Sequence, residues 1–280
     1  MDPSRLPRWT WTDLEIGDEL GRGAMGVVLD ATVVLTGDRV AVKVLEADEE
    51  IRTIAAEYFL REVEISSQLE HPHIVRFLGV GEGPRGPFLV MEFVAGGSLR
   101  ERLDLGGPMA VSDVVEIGQQ ILAALAHAHE RELVHRDVKP ENIMISDTSD
   151  GLFARLVDFG LARAYVGSPH RTLTATGEPR GTLHYAAAEC VHDARTAQPA
   201  ADVFSAGATL YSALTNAAPY EDGLTYAELL DAIASGAIVP LRSRRSDVSP
   251  RLAATIERAL RLDPRHRWPD AATMARHLLT

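Results

Sequence analysis

A chain of 280 residues, 46% of them hydrophobic, lies in the roughly 250–300-residue range where single cores begin to split, so one large domain or two lobes is expected. The formal net charge of -12 excludes a general binder of phosphate backbones, and no nucleic-acid partner is expected; "RSRR" at Arg242–Arg245, the densest basic run, reads as a solvated loop. A single cysteine, Cys190, excludes a disulfide framework or a cysteine-based zinc cluster, and with no stretch near the ~18–20 apolar residues of a membrane span and no signal-peptide core, a soluble cytoplasmic protein is expected.

The elements follow in chain order. Residues 1–13 form an N-terminal strap whose Trp9 and Trp11 are packing residues. Residues 14–45 alternate and carry many β-branched side chains, with Leu35–Arg39 a turn between "GVVLDATVV" and "VAVKVL", the pattern of short antiparallel strands. A helix over about residues 49–69 comes next, then two apolar runs, "IVRFLGV" and "FLVMEFV", across the loop "GEGPRG". This predicts a small antiparallel β lobe with one main helix over 14–94. After "AGGSL" the period becomes helical, and residues 95–280 predict a larger, mostly helical lobe. In "SDVVEIGQQILAALAHAHE", Val114, Ile117, Ile121 and Leu125 recur at helical spacing, with Ser112 and Asp113 as caps. Further helices fall in "DVFSAGATLYSAL", "YAELLDAIASG" and "RLAATIERAL". The fold class is therefore two-lobed α+β.

Three constellations carry chemistry. Gly21, Gly23 and Gly26 have the spacing G-x-G-x-x-G between two strands. A plain hairpin would carry the same glycines, but a loop of this kind can also lay its amides over phosphates. Lys43 lies between Val42 and Val44 in an apolar strand, and Glu62 falls in the stripe Ile51, Ala55, Tyr58, Ile65 and Leu69 of the following helix. Lys43 could be an exposed edge residue; a carboxylate in an apolar stripe needs a cation, however, and the two are mutual partners on this reading. "LVHRDVKPENIMI" brackets Arg136, Asp137, Lys139, Glu141 and Asn142 between apolar runs, and Asp158 lies in "LVDFG". Asp137, Asn142 and Asp158 are oxygen-bearing groups in loops expected to follow apolar strands, and such ligands suit Mg²⁺ on a nucleotide.

Together these residues resemble the eukaryotic-type Ser/Thr protein kinases, especially the bacterial members. The motifs run in the family's order over nearly the whole chain: "GRGAMGVV", "VAVK", Glu62, "HRDVKPEN", "DFG", a degenerate "AAE", "DVFSAG" and "DPRHRW". The resemblance implies ATP and Mg²⁺ as cofactors and protein substrates as partners. Gly21, Gly23 and Gly26 would cover the phosphates, with Leu20, Arg22 and Ala24 among the nucleotide-binding residues. Val28, Ala41 and Met144 would sandwich the adenine, with Met91 behind it and the backbone of Glu92 and Val94 along its edge. Lys43, oriented by Glu62, would hold phosphates, Asp137 would take the substrate hydroxyl's proton, Lys139 would steady the transferred group, and Asn142 and Asp158 would bind Mg²⁺. Lys139–Pro140 in place of an Ala-Arg pair resembles a Ser/Thr rather than a Tyr enzyme.

The pattern departs from the family at "GTLHYAAAE", where Leu183, Ala186 and Ala188 replace Pro, Met and Pro. This puts the peptide-docking surface in question, although Thr182 and Glu189, with its expected partner Arg267, are present. Arg136 and Arg163 offer guanidinium forks to a phosphate, and Thr172, Thr174 and Thr176 are the expected autophosphorylation sites, which would suit a homodimer. His127 and His129 read as ordinary helix residues, and Cys190 as a small buried side chain. The rivals are a small-molecule kinase of the aminoglycoside type, which should lack the three-glycine loop, and a pseudokinase scaffold, which should have lost Lys43, Asp137 or Asp158. The chain ends near the expected end of the kinase fold, which leaves room for a sensor or anchor beyond it.

Overall fold

The computed structural model describes residues 6–23, 26–46, 63–159, 180–192 and 197–278. Contacts divide the chain into two compact units, Met1–Val94 and Ala95–Thr280.

The first unit is built on a six-stranded sheet in the order β1-β5-β6-β4-β3-β2. Its strands are β1 (Arg8–Thr10), β2 (Leu14–Gly23), β3 (Gly26–Val33), β4 (Arg39–Leu45), β5 (Phe77–Gly83) and β6 (Gly86–Glu92). Period-2 alternation gives the sheet two faces. Val27, Leu29 and Ala31 of β3 stand opposite Val44, Val42 and Val40 of β4, and Phe88 and Val90 of β6 extend this apolar layer. The other face carries Val28, Lys43 and Leu89 in one cross-strand row, and Ala41 opposite Met91.

One feature differs from the expected all-antiparallel lobe. The strap adds β1, which pairs parallel to β5, with Arg8 opposite Val80 and Thr10 opposite Glu82. Glycine makes this possible, because a Cβ on Gly79 would collide with the carbonyl of Pro7 and one on Gly81 with that of Trp9. Trp9 donates its indole N–H to the carbonyl of Leu78 at 3.1 Å. Trp11 meets Phe88 edge-on at 5.3 Å. Of the expected helix over 49–69, residues 63–66 are described as helical, and Val63 packs with Leu45, Val80 and Leu89.

The second unit is mostly helical: α1 (Leu99–Gly106), α2 (Val111–His129), α3 (Ala188–His192), α4 (Pro199–Thr215), α5 (Tyr226–Ser235), α6 (Leu241–Arg244), α7 (Pro250–Ala259) and α8 (Ala271–Leu278). A two-stranded hairpin joins them, β7 (Ile143–Thr148) with β8 (Gly151–Leu156). Ser98 starts α1 through a capping box with Glu101, each satisfying the other's backbone N–H. Just before it Gly96, at φ 124°, lets the chain lie against β7, where a side chain would strike the carbonyl of Ile145. Val114, Ile117, Ile121 and Leu125 are all buried along α2.

Two features differ from expectation. The helix α2 begins at Val111 with Ala110 as its cap, so Ser112 and Asp113 lie inside the first turn, where Asp113 interacts with the positive helix end rather than capping it. Nor is "RSRR" a solvated loop. Arg244 donates to the carbonyls of Ala218 and Tyr220, and Arg245 to those of Met109 and Leu214, with Leu214 near the end of α4. Carbonyls left over at loops and a helix end add to the carboxylates of Asp222, which pairs with Arg244, and Asp247, which pairs with Arg245.

Candidate active site

In the first unit the strand register assembles the predicted nucleotide-binding residues. Gly21 pairs with Val28, Val28 with Lys43, Ala41 with Met91, and Val40 with Glu92. Gly26, at φ 144°, must lack a side chain because a Cβ would run into the carbonyl of Val44. Arg22 is drawn to the surface by Glu19 at 2.7 Å and Glu46 at 2.6 Å. Leu20 is exposed and Val94 buried. Ala24 and Glu62 lie outside the described residues, so the Lys43–Glu62 pairing stays an expectation.

In the second unit the sequence His135–Asn142 folds into a loop and a tight turn, Pro140–Asn142, ahead of β7. Asp137 and Asn142 therefore precede a strand, contrary to expectation, and only Asp158 follows one. A proline at the turn's start presets its dihedral angle, and Asn142 is carried back toward Asp137.

The side chains converge on the Asp137 carboxylate. Its Oδ2 lies 2.7 Å from Lys139 Nζ and 3.0 Å from Asn142 Nδ2, which also donates to the Asp137 carbonyl at 2.8 Å. Two donors on one oxygen fix the orientation of the carboxylate. With both amide hydrogens of Asn142 turned toward Asp137, its Oδ1 is directed elsewhere.

His135 links this loop to Asp158. Its ring is wholly buried, accepts the Asp137 backbone N–H on Nδ1 at 3.3 Å, and donates from Nε2 to the carbonyl of Val157 at 3.0 Å. One nitrogen accepting and the other donating defines a neutral imidazole. Burial accordingly holds its pKa below the ordinary histidine value, against the opposing pull of Asp202 and Asp137. Phe159 packs on the ring at 4.6 Å, and the Val157 N–H donates to the carbonyl of Asn142 at 3.0 Å. Asp137, Asn142 and Asp158 are thus brought together by backbone and ring contacts. Arg136 and Asp158 both adopt positive φ, 69° and 56°. Such conformations in non-glycine residues concentrate where side chains are aimed for a task.

One site residue escaped the sequence reading. Asp202, fully buried in the first turn of α4, accepts the backbone N–H groups of His135 and Arg136 and Nε2 of His129, each at 2.8 Å. Three donors and the positive end of α4 stabilise a carboxylate that would otherwise be costly to bury. His129 is therefore part of the loop's support, not an ordinary helix residue. An acid in the apolar run "DVFSAGATLYSAL" was the signal available.

Glu189 and Arg267 meet as expected, and the guanidinium uses all five of its N–H groups: two on Glu189 and one each on the carbonyls of Ala200, Arg261 and Leu262. In the altered "AAAE" stretch Ala186 and Ala187 are buried, and Leu183 packs with Tyr220, Leu229 and Ile233. Cys190 is buried. Thr172, Thr174, Thr176 and Arg163 lie outside the described residues.

The oxygen donors fit a small, hard dication. An amide oxygen and one carboxylate suit Mg²⁺, which takes few protein ligands and keeps phosphates and waters. Among the described residues no group of three or more His, Cys, Asp or Glu is placed to hold an ion.

The arrangement is that of a protein kinase domain, and residues 14–279 match the protein kinase domain family. The chain belongs to this family, with its bilobed fold of a small β-rich lobe and a larger helical one. It is 35% identical over 269 residues to the serine/threonine-protein kinase PknB of Mycolicibacterium smegmatis, covering 95% of this chain and 42% of that protein. With PknL of Mycobacterium tuberculosis the identity is 38% over 247 residues, 85% of this chain and 58% of that one. The chain thus spans about half the length of these relatives. Among solved structures it is similar to the kinase domain of Mycobacterium tuberculosis PknI (TM-score 0.70, 25% identity, 97% of each chain). It is also similar to Rad53 residues 1-466 in complex with AMP-PNP (TM-score 0.77, 30% identity, 95% of this chain and 64% of that one). Its kinase domain is of the eukaryotic Ser/Thr type, related to the actinobacterial PknB and PknL kinases. Among the described residues no helix is long and apolar enough to cross a membrane.

Proposed function

We propose that this chain transfers the γ-phosphoryl group of ATP to serine or threonine hydroxyls of protein substrates. The observation that carries the reading is the convergence of Lys139 and Asn142 on one oxygen of Asp137. On this reading Asp137 orients the substrate hydroxyl and accepts its proton, while Lys139 offers its ammonium to the phosphoryl oxygens. Lys43, with Glu62, holds the α- and β-phosphates, and Gly21, Gly23 and Gly26 cover them, with Leu20, Arg22 and Ala24 beside them in the nucleotide site. Val28, Ala41 and Met144 pack on the adenine, Met91 backs it, and the backbone of Glu92 and Val94 bonds its edge. Mg²⁺, held by Asn142 Oδ1 and Asp158, would supply neutralising charge to the phosphate oxygens. His135 keeps Asp137 and Asp158 in register, and Asp202 holds the loop beneath them.

Phosphorylation at Thr172, Thr174 or Thr176, received by Arg136 and Arg163, is the regulatory part of this reading, with a second copy of the chain as the enzyme. A scaffold without activity is disfavoured because Lys43, Asp137 and Asp158 are all retained. Incubation with γ-labelled ATP, Mg²⁺ and a generic basic protein tests the proposal. Label is expected on the substrate and on the chain itself, and both signals should vanish in Asp137→Asn. Equal labelling by that variant would sink the assignment.

A further inference from the structure

Away from the His135–Asn142 loop, the second unit carries an open groove of about 500 Å³ between the segment following α5 and the end of α7. Its apolar surface comes from Ile238, Pro240, Leu260 and Leu262, and Leu262 is 41% exposed despite its bulk. Gly236, at φ 67°, ends α5 on the groove's edge, and a Cβ there would press on Leu262 at 3.0 Å. Any other residue at this position would be strained and would crowd the groove.

The charges around it are unequally engaged. Glu257 accepts the backbone N–H of Leu241 at 2.9 Å. Both oxygens of Asp263 are held by the Arg265 guanidinium, and its backbone N–H adds a third donor. Arg261, by contrast, is exposed and makes no side-chain hydrogen bond or ion pair among the described residues, and His266 beside it is exposed as well. Of the groove's two acids Asp263 is thus paired with a guanidinium and Glu257 holds a backbone N–H on one oxygen, while Arg261 is a cation with no side-chain partner among the described residues.

Both walls also reach the "GTLHYAAAE" segment. Ile238 packs against the cluster of Leu183, Tyr220, Leu229 and Ile233. On the other side the carbonyls of Arg261 and Leu262 bond Arg267, whose guanidinium grips Glu189. An occupant of the groove would thus bear on the segment that leads into α3 from two directions.

We infer that this groove is a docking site for a protein substrate, taking a segment in which a bulky apolar side chain stands next to a carboxylate. The apolar side chain would cover Leu262 and Ile238, and the carboxylate would meet Arg261. An open, surface-lying shape favours a peptide over an enclosed small molecule. The assignment of the occupant to a substrate rests on the kinase reading; the recognition chemistry does not.

The test has a binding arm and a kinetic arm. A short fluorescein-labelled peptide alternating glutamate and leucine should bind the full chain by fluorescence polarisation, and Arg261→Glu or Leu262→Asp should each weaken it about tenfold or more, as loss of a charge-assisted bond implies. Both positions are exposed, so neither change should disturb folding, which thermal melting checks. A peptide alternating lysine and leucine should bind poorly; equal binding of the two, or no loss in either variant, overturns the proposal, as does laurate binding in the peptide's place. In the kinetic arm, fusing the glutamate–leucine segment to a phosphoacceptor peptide should lower KM with kcat unchanged, and Arg261→Glu should abolish the gain. An inactive chain that still binds the peptide through Arg261 would refute the kinase reading and leave the recognition chemistry standing, whereas an active chain indifferent to the fusion overturns substrate docking.

Discussion

Arg267 and Glu189, 78 residues apart in sequence, meet through two parallel N–H···O bonds of 2.7 and 2.9 Å, with the guanidinium wholly buried and the carboxylate partly exposed. Removing the acid leaves a buried cation facing carbonyl dipoles and the Phe204 ring, 5.1 Å away, with no anion. Breaking a buried pair costs about 3–5 kcal/mol, and the partial exposure of Glu189 places Glu189→Ala near the lower end. Urea denaturation should show the midpoint falling by a matching amount with an unchanged slope. A loss well under about 1 kcal/mol, the worth of a surface pair, would mean that the carbonyls alone hold Arg267.

Asp202 acts through the backbone of its neighbours, so its role is positioning. Asn at this place would set an amide N–H₂ against incoming N–H donors, at a cost of about 1–3 kcal/mol for the unsatisfied contact. The His135–Asn142 loop would shift, and a displacement of about 1 Å at a reacting group costs on the order of 10²-fold in rate. Asp202→Asn is expected to lower kcat by that order and leave the KM for ATP within about twofold. A variant with reduced ATP affinity and normal kcat would contradict this.

Much of this site is legible in the amino-acid sequence, and the reason is locality. The row Val28–Lys43 and the pair Ala41–Met91 follow from period-2 alternation in neighbouring strands, and Asp137, Lys139 and Asn142 lie within one short motif. What escaped reading is held together by distant backbone groups. Asp202 satisfies N–H groups 66 and 67 residues away, and the half-buried Arg244 and Arg245 are held on carbonyls that carry no residue-type signal. The strap's strand has three residues, too short for its alternation to stand out, and its acceptor is recognisable only as missing side chains at Gly79 and Gly81.

The strap offers a separate test. Gly79 has φ 147°, and an added Cβ would collide with the Pro7 carbonyl and approach the Trp9 indole at 2.7 Å. Gly79→Ala should cost about 1–3 kcal/mol in backbone strain, or shed the strap to relieve it. Limited trypsin digestion should then cut after Arg8 faster than in the unaltered chain. Unchanged cleavage together with unchanged stability would refute the close packing of β1 on β5.

His135 gives a pH dependence with a definite sign. Its folded pKa is depressed because the buried ring must stay neutral, while in the unfolded chain it titrates near 6.5. Above that value both states are neutral and the fold carries no penalty. As pH falls below about 6.5 the unfolded state binds a proton that the native state resists, so stability declines until the native pKa is reached. His135→Phe, which retains the packing on Phe159, should flatten this acid limb in urea titrations between neutral and mildly acid pH. It should also lose the Asp137 and Val157 bonds, so its stability at neutral pH is expected to be lower. An acid limb of the same slope in the variant would assign the titration elsewhere.

Asp137 and Asp158 bear the same carboxyl group but stand in different surroundings, and their substitution should separate two functions. Asp137 is oriented by Lys139 and Asn142, an arrangement suited to receiving a proton from a hydroxyl. Asp158, at φ 56° just beyond Val157 and one residue before the Phe159 ring that packs on His135, is the carboxylate assigned to Mg²⁺. Asp137→Asn keeps the shape and most hydrogen-bonding capacity, so Mg·ATP affinity should persist while kcat falls about 10²–10⁴-fold, the usual range for a lost general base. Asp158→Asn removes the charge on the metal side, and nucleotide binding should lose its dependence on Mg²⁺. Calorimetric titration of each variant with ATP, with and without Mg²⁺, measures both effects. Equal loss of Mg·ATP affinity in the two variants would show that the carboxylates share one task, and the division between proton acceptance and metal binding would have to be abandoned.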